Sequence, residues 1–157
     1  MEKRTSHLSE LQKSERYQRI FNQLQDLFVK TNNPIARMST MVAVLHQKFD
    51  YFFWTGFYLL DDGVLTVGPY QGSLACMVLK ENCGVCWAGV NQKSPLLVDN
   101  VHEFPGHIAC DSRSQSEVVI PLIRNQEIIG ILDVDSKELA SFSKADLEGL
   151  EKLLTLI

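Results

Sequence analysis

Two aliphatic and β-branched runs, Val118 to Ile123 and Ile128 to Val134, lie on either side of Arg124, Asn125, Gln126 and Glu127. Strand-like runs separated by so few residues, with an asparagine in the connection, read as a β-hairpin. A hairpin commits the chain to an antiparallel sheet whose faces the remaining segments must cover. Tyr51 to Leu60 has the same strand character, and Asp61, Asp62 and Gly63 turn it into a second strand, Val64 to Gly68. Leu96 to Val98 reads as a short strand, and Pro69 to Pro95 as irregular with a short helix near Val85 to Val90.

Before the first strand, Leu11, Ile20, Phe21, Leu24, Leu27 and Phe28 recur at helical spacing and stop at Thr31, Asn32 and Asn33. Pro34 opens a second helix, with Ile35, Met38, Met41, Val42 and Leu45 on its apolar side. At the other end, Ser143 reads as a cap with Asp146 at the third helical position. The stripe behind it is Leu147, Leu150, Leu153, Leu154 and Ile157. This order predicts an antiparallel α+β domain. A single domain over residues 1–157 is expected, with helices over 1–50, sheet and loops over 51–140 and a closing helix over 143–157.

The net charge is -4 and the 15 Lys and Arg are scattered, so no basic stripe is available to hold nucleic acid. The apolar run within Glu127 to Asp135 has charged ends and is far shorter than the roughly 20 residues of a membrane span. With a charged start and no signal-peptide core, a cytoplasmic protein is expected, whose four cysteines are reduced thiols, metal ligands or redox groups.

Asp133 and Asp135 are two apart on one strand, so they share a face, together with Ile129 and Ile131. Carboxyls on an apolar face hold their protons to higher pH and can act as acids. The alternative is a strand end emerging into solvent. Glu117 joins them only if the hairpin permits. A two-residue loop at Asn125 and Gln126 puts it opposite Val134 on the wrong side, whereas a three-residue loop or a bulge near Pro121 restores the shared face. Trp54, Gly56, Tyr58 and Leu60 share a face in the same way, with the glycine leaving room for a small ligand or for core packing.

Cys83 and Cys86 form a C-x-x-C pair, with His102 and His107 nearby, but Cys76 and Cys110 each stand alone, so a structural zinc site is a weak reading. Cys110 sits in the loop FPGHIACDS, open to packing, metal or nucleophilic roles. His107 and Arg113 place positive charge near it, while Asp111 disfavours its thiolate.

Taken together, WTGFYLL, GPYQG, GVCWAG, VHEFPGHIACDS, SEVVIPL and GILDVDS resemble the free methionine-R-sulfoxide reductases. The intervals Cys76 to Cys86 (ten residues) and Cys86 to Cys110 (twenty-four) match that family's three cysteines. The resemblance implies a GAF-like domain with a central sheet of about six strands between N-terminal and C-terminal helices. It also implies reduction of free, not protein-bound, methionine-R-sulfoxide. Cys110 corresponds to the nucleophile, Cys76 to the resolving cysteine and Cys86 to a second candidate for that role, so the redox disulfide is Cys76–Cys110 or Cys86–Cys110. Trp54 and Tyr58 correspond to the substrate's aromatic wall, and Glu117, Asp133 and Asp135 to the acids around the sulfoxide and the amino group.

No metal or cofactor is implied; the reductant is an external dithiol such as thioredoxin, and family analogy gives a homodimer. The chain departs from the family pattern at Cys83, which is additional, at Trp87 in place of a glycine, and at Thr55 in place of valine. The rival is a non-catalytic GAF module that senses a small ligand.

Overall fold

The computed structural model describes residues 8–107 and 109–157; Ile108 and the first seven residues of the N-terminal helical segment lie outside the described residues. Helix α1, Glu10–Leu27, starts at a reciprocal cap in which Ser9 Oγ accepts the Gln12 amide at 3.1 Å and Gln12 Oε1 accepts the Ser9 amide at 2.9 Å. Helix α2, Pro34–Lys48, has Pro34 in its first turn and Asn33 as cap, accepting from the Ala36 amide at 3.1 Å. The closing helix, α4 at Lys144–Leu154, has the Ser143 and Asp146 capping pair that the spacing predicts. Between them, α3 spans Gly84–Gln92.

Six strands form one antiparallel sheet: β1 Trp54–Asp61, β2 Val64–Gln71, β3 Val78–Leu79, β4 Leu96–Val98, β5 Ser116–Arg124 and β6 Glu127–Ser136, in the order β3-β2-β1-β6-β5-β4. The hairpin β5–β6 turns through Asn125 and Gln126, both with positive φ (51° and 65°), the backbone of a tight two-residue turn. Beyond the turn Ile123 pairs with Ile128 but Leu122 pairs with Gly130, leaving Ile129 as an extra, bulged residue. That insertion shifts the register by one, so Glu117 pairs with Asp135 rather than with Val134.

The sheet has two covered faces. On one, α1, α2 and α4 pack with Phe57, Val118, Ile120, Leu132 and Val134 into the larger core. On the other, Val85, Cys86, Trp87 and Val90 of α3 pack with Trp54, Tyr58, Val119 and Ile131. The bulge places Ile129 against the helical core, not beside Asp133 and Asp135 as strict alternation predicts.

Three further expectations are corrected. Strand β2 continues to Gln71, and the stretch read as irregular contains β3, whose two residues pair with Leu65 and Thr66. Leu11, Leu27 and Ile35 are exposed at 68 %, 46 % and 50 %. The buried stripe of α1 is Lys13, Tyr17, Ile20 and Leu24, and Leu11 lies on the opposite side of the helix from it. Among the described residues no helix is long and apolar enough to cross a membrane.

Candidate active site

On the α3 side of the sheet lies a cavity of about 210 Å³, walled by residues from β1, β5, β6, α3 and the loops that carry Cys76 and Cys110. Its acidic wall is made by Glu117, Asp133 and Asp135, brought to one face by the hairpin bulge. Glu117 is 4 % exposed and Asp133 6 %. Burial pushes the Glu117 carboxyl well above its ordinary value, and the nearby Asp133 and Asp135 charges push it further. Asp135 is raised well above the usual range too, by burial and then by Asp133 and Asp111. Asp133 is also raised by burial, with hydrogen bonding from Glu117 and Cys86 working against that rise. Asp133 Oδ1 has no hydrogen-bond partner among the described residues. Buried polar atoms are rarely left without a partner, so this oxygen stands out in the cavity wall.

The aromatic wall is Trp54 and Tyr58, stacked at 5.8 Å between ring centroids, with Tyr70 stacked on the outer side of Trp54 at 5.3 Å. The space beside Gly56 is filled by Trp54 itself: a Cβ on Gly56 would lie 2.5 Å from the indole ring and 2.4 Å from Tyr70 Cβ. The glycine thus lets the indole fold over the strand, and the ligand space lies beyond the ring. Both polar edges are used. The indole N–H donates to the Ser73 carbonyl at 3.1 Å, and the Tyr58 hydroxyl to the Cys76 carbonyl at 3.0 Å. The loop carrying Cys76 is therefore tied to the aromatic wall.

Cys76 and Cys110 are joined in a disulfide, with Cα atoms 5.6 Å apart. Cys110 is exposed and Cys76 half-buried at the cavity edge. Cys86 is a free, buried thiol whose Sγ donates to Glu117 Oε1 at 3.9 Å, and burial followed by the surrounding acids pushes its pKa well up. Of the two pairings left open by the resemblance, the structure holds Cys76–Cys110. Cys83 is free and half-buried in the same cavity. Trp87 packs under the site, 5 % exposed, and leaves Cys86 in the cavity wall.

Among the described residues the four cysteines and the histidines do not gather as a metal-ligand group. A different trio, Cys86, Glu117 and Asp133, has ligand atoms within 4.8 Å of one another and is the group that could hold a metal ion among the described residues.

The charge of Asp111 is answered by Arg113. Nε and the second guanidinium nitrogen donate to the two carboxylate oxygens at 2.9 and 2.7 Å, holding the carboxyl well below its usual range. His107 lines the cavity but is held toward its neutral form, first by burial and then by His102. Ser73, whose hydroxyl donates to Asp111 Oδ2 at 2.9 Å, was not singled out by the sequence. A serine flanked by glycine and leucine carries no pattern signal.

The GAF domain family model matches residues 33–157. The chain is 42 % identical to GAF domain-containing protein A of Dictyostelium discoideum, over 96 % of this chain and 95 % of that protein. It is 36 % identical to the free methionine-R-sulfoxide reductase of Escherichia coli, over 92 % of this chain and 87 % of that protein. The X-ray structure of the free methionine-R-sulfoxide reductase from Neisseria meningitidis in complex with its substrate superposes with a TM-score of 0.88 at 35 % identity, covering 92 % of this chain and 87 % of that one.

Proposed function

The chain belongs to the free methionine-R-sulfoxide reductases of the GAF-domain family, and from that premise we propose that it reduces free L-methionine-R-sulfoxide to L-methionine at the cavity edged by Cys110. The observation that carries this reading is a disulfide-forming cysteine pair in the wall of the same cavity as three carboxyls with raised pKa values.

In the reduced protein the Cys110 thiolate attacks the sulfoxide sulfur while an acid protonates the oxygen, and methionine departs with Cys110 left as a sulfenic acid. Glu117 and Asp135, which face each other across the hairpin and are both raised by burial, are the candidates for that acid. Asp133, with an oxygen that has no partner among the described residues, is suited to receive the substrate's ammonium. A peptide-bound methionine sulfoxide lacks that ammonium, which accounts for selectivity toward the free amino acid. Trp54 and Tyr58 bound the substrate's methyl end.

The Cys76 thiol then condenses with the sulfenic acid: the S–H and S–O bonds break, the S–S bond forms, and the oxygen leaves as water. Cys86 is a poor candidate for this step, since its thiol is held protonated by burial among acids. An external dithiol of the thioredoxin kind restores the thiols, meeting the disulfide from the exposed Cys110 side.

The test is incubation with dithiothreitol and both epimers of free methionine sulfoxide, each followed by chromatography. Loss of the R epimer alone is expected. Persistence of both epimers rules the reading out.

A further inference from the structure

We propose that Ser73, Asp111 and Arg113 form a latch that holds the Cys76 loop against the Cys110 loop, so that a sulfenic acid on Cys110 is resolved quickly by Cys76. None of the three supplies a reacting atom; they are positioning residues. The inference rests on the division of roles given above, with Cys110 oxidised first and Cys76 second.

The central contact is Ser73 Oγ to Asp111 Oδ2 at 2.9 Å, which bridges 38 positions of sequence. It joins a residue three before Cys76 to the residue directly after Cys110. Asp111 is not free to turn away from this bond. The Arg113 fork takes both of its oxygens, and the Arg113 backbone amide donates to Oδ1 at 3.0 Å. Arg113 is in turn placed by Phe53, whose ring lies 4.8 Å from the guanidinium carbon.

The other end is anchored on the same stretch of chain. The next residue, Trp54, donates from its indole to the Ser73 carbonyl at 3.1 Å. Gly72 lets the loop lie this close, since a Cβ there would meet the Phe53 carbonyl and the Trp54 ring at 2.9 Å each, at a φ of 123°. The contacts thus close a ring, Trp54 to Ser73 to Asp111 to Arg113 to Phe53, of which Trp54, Ser73 and Asp111 line the cavity.

An exposed ion pair such as Asp111–Arg113 adds little to stability by itself. Its effect here is on geometry. Holding two reacting groups together raises their effective concentration, and a displacement of about 1 Å can cost on the order of a hundredfold in rate.

The experiment uses the reduced full-length protein and three variants. Ser73→Ala removes the bridge, Ser73→Thr restores the hydroxyl, and Arg113→Lys keeps the charge while losing the fork. Each is oxidised in two arms, by one equivalent of hydrogen peroxide and by free methionine-R-sulfoxide, with dimedone present to trap any sulfenic acid. Mass spectrometry reads the Cys110 adduct against the Cys76–Cys110 disulfide.

In Ser73→Ala the trapped fraction should rise about tenfold over the parent while loss of the Cys110 thiol keeps its rate. Arg113→Lys should give an intermediate rise, and Ser73→Thr should return to the parent. Equal trapping in Ser73→Ala and the parent overturns the latch, as does a slowed first oxidation of Cys110 in Ser73→Ala, which would place the effect on the nucleophile. A latch effect with peroxide and no reaction with the sulfoxide upholds the latch and overturns the substrate reading. A general loosening of the fold would not be repaired by threonine.

Discussion

Glu117 and Asp135 stand opposite each other on β5 and β6, in a register that exists because Ile129 is an extra residue in β6. Burial raises both carboxyls, and Asp133 and Asp135 push Glu117 further while Asp133 and Asp111 push Asp135 further. The consequence for stability has a definite sign. A carboxyl titrates near pH 4 in the unfolded chain and at a higher pH in the native cluster, so in between the native state binds more protons. The cluster's contribution is complete below about pH 4 and is lost as pH rises through the raised native values.

The first prediction follows from that sign. Glu117→Gln removes one ionisation from the cluster, so its thermal midpoint should gain on the parent's as pH rises from about 4 toward 8. Calorimetric melts of the oxidised protein across that range measure the difference. A constant offset between the two curves would show that Glu117 ionises as freely in the native protein as in the unfolded one.

The same bulge shows what was and was not legible in the sequence. Asn125 and Gln126 and the β-branched runs announced the hairpin, and the two-residue turn is there. The bulge has no such mark, because Ile129 is as aliphatic as Ile128 and Ile131 and belongs to β6 by any local criterion. Its position decides whether Glu117 faces the cavity or the helical core. Alternation put Trp54 and Tyr58 on one face, but their place in a substrate wall came only from the family resemblance. The Ser73–Asp111 bond and strand β3 were not legible, since each depends on contact between distant segments. Lys13 in the apolar stripe of α1 was invisible for a related reason: its burial depends on Asp146 of α4.

A second prediction concerns the acids in catalysis. If Glu117 delivers the proton, Glu117→Gln should lower kcat by about 10²–10⁴-fold with a smaller change in KM. Asp133→Asn, which weakens the ammonium site, should act mainly on KM. Because the acid works only while protonated, single-turnover rates of the parent should fall as pH rises through the raised value, and Glu117→Gln should flatten that fall. Steady-state and quenched-flow assays on the two variants separate these effects; a pure KM effect in Glu117→Gln would move the acid's role to Asp135.

The cysteines make a third prediction. Cys110→Ser should abolish turnover, whereas reduced Cys76→Ser should still convert about one equivalent of substrate before stopping. Cys86→Ser should retain multiple turnovers, since its buried thiol is pushed far from thiolate formation. Methionine released per protein is the measurement, in a reductant-free burst for Cys110→Ser and Cys76→Ser and with dithiothreitol present for Cys86→Ser. A missing burst in Cys76→Ser would contradict the order of the two cysteines.

Gly56 supports a fourth. A side chain there collides with the Trp54 indole and Tyr70 Cβ, and a core-like stack does not absorb such a clash without moving. Gly56→Ala should tilt Trp54 off Tyr58 and raise KM by about tenfold, an effect of roughly 1.4 kcal/mol on binding. Tryptophan fluorescence should shift with it. An unchanged KM would mean that the indole face is not part of the substrate's wall.

The last prediction lies away from the cavity, where Lys13 of α1 and Asp146 of α4 form a buried ion pair at 2.7 Å, 4 % and 0 % exposed by side chain. Asp146 also accepts hydrogen bonds from the Tyr17 and Tyr51 hydroxyls and from the Ser143 amide, so one carboxylate ties together both terminal helices and the approach to β1. Removing one partner of such a pair leaves an uncompensated buried charge, at a cost of about 3–5 kcal/mol. In a domain of this size each kcal/mol moves the midpoint by roughly 2–4 °C, so Asp146→Asn should melt about 10 °C below the parent. Lys13→Met should fall less, because the remaining carboxylate keeps its hydroxyl and amide donors, and the double variant should cost less than the sum of the two. Thermal melts of the three variants test the coupling, and strictly additive losses would show that the two charges do not depend on each other.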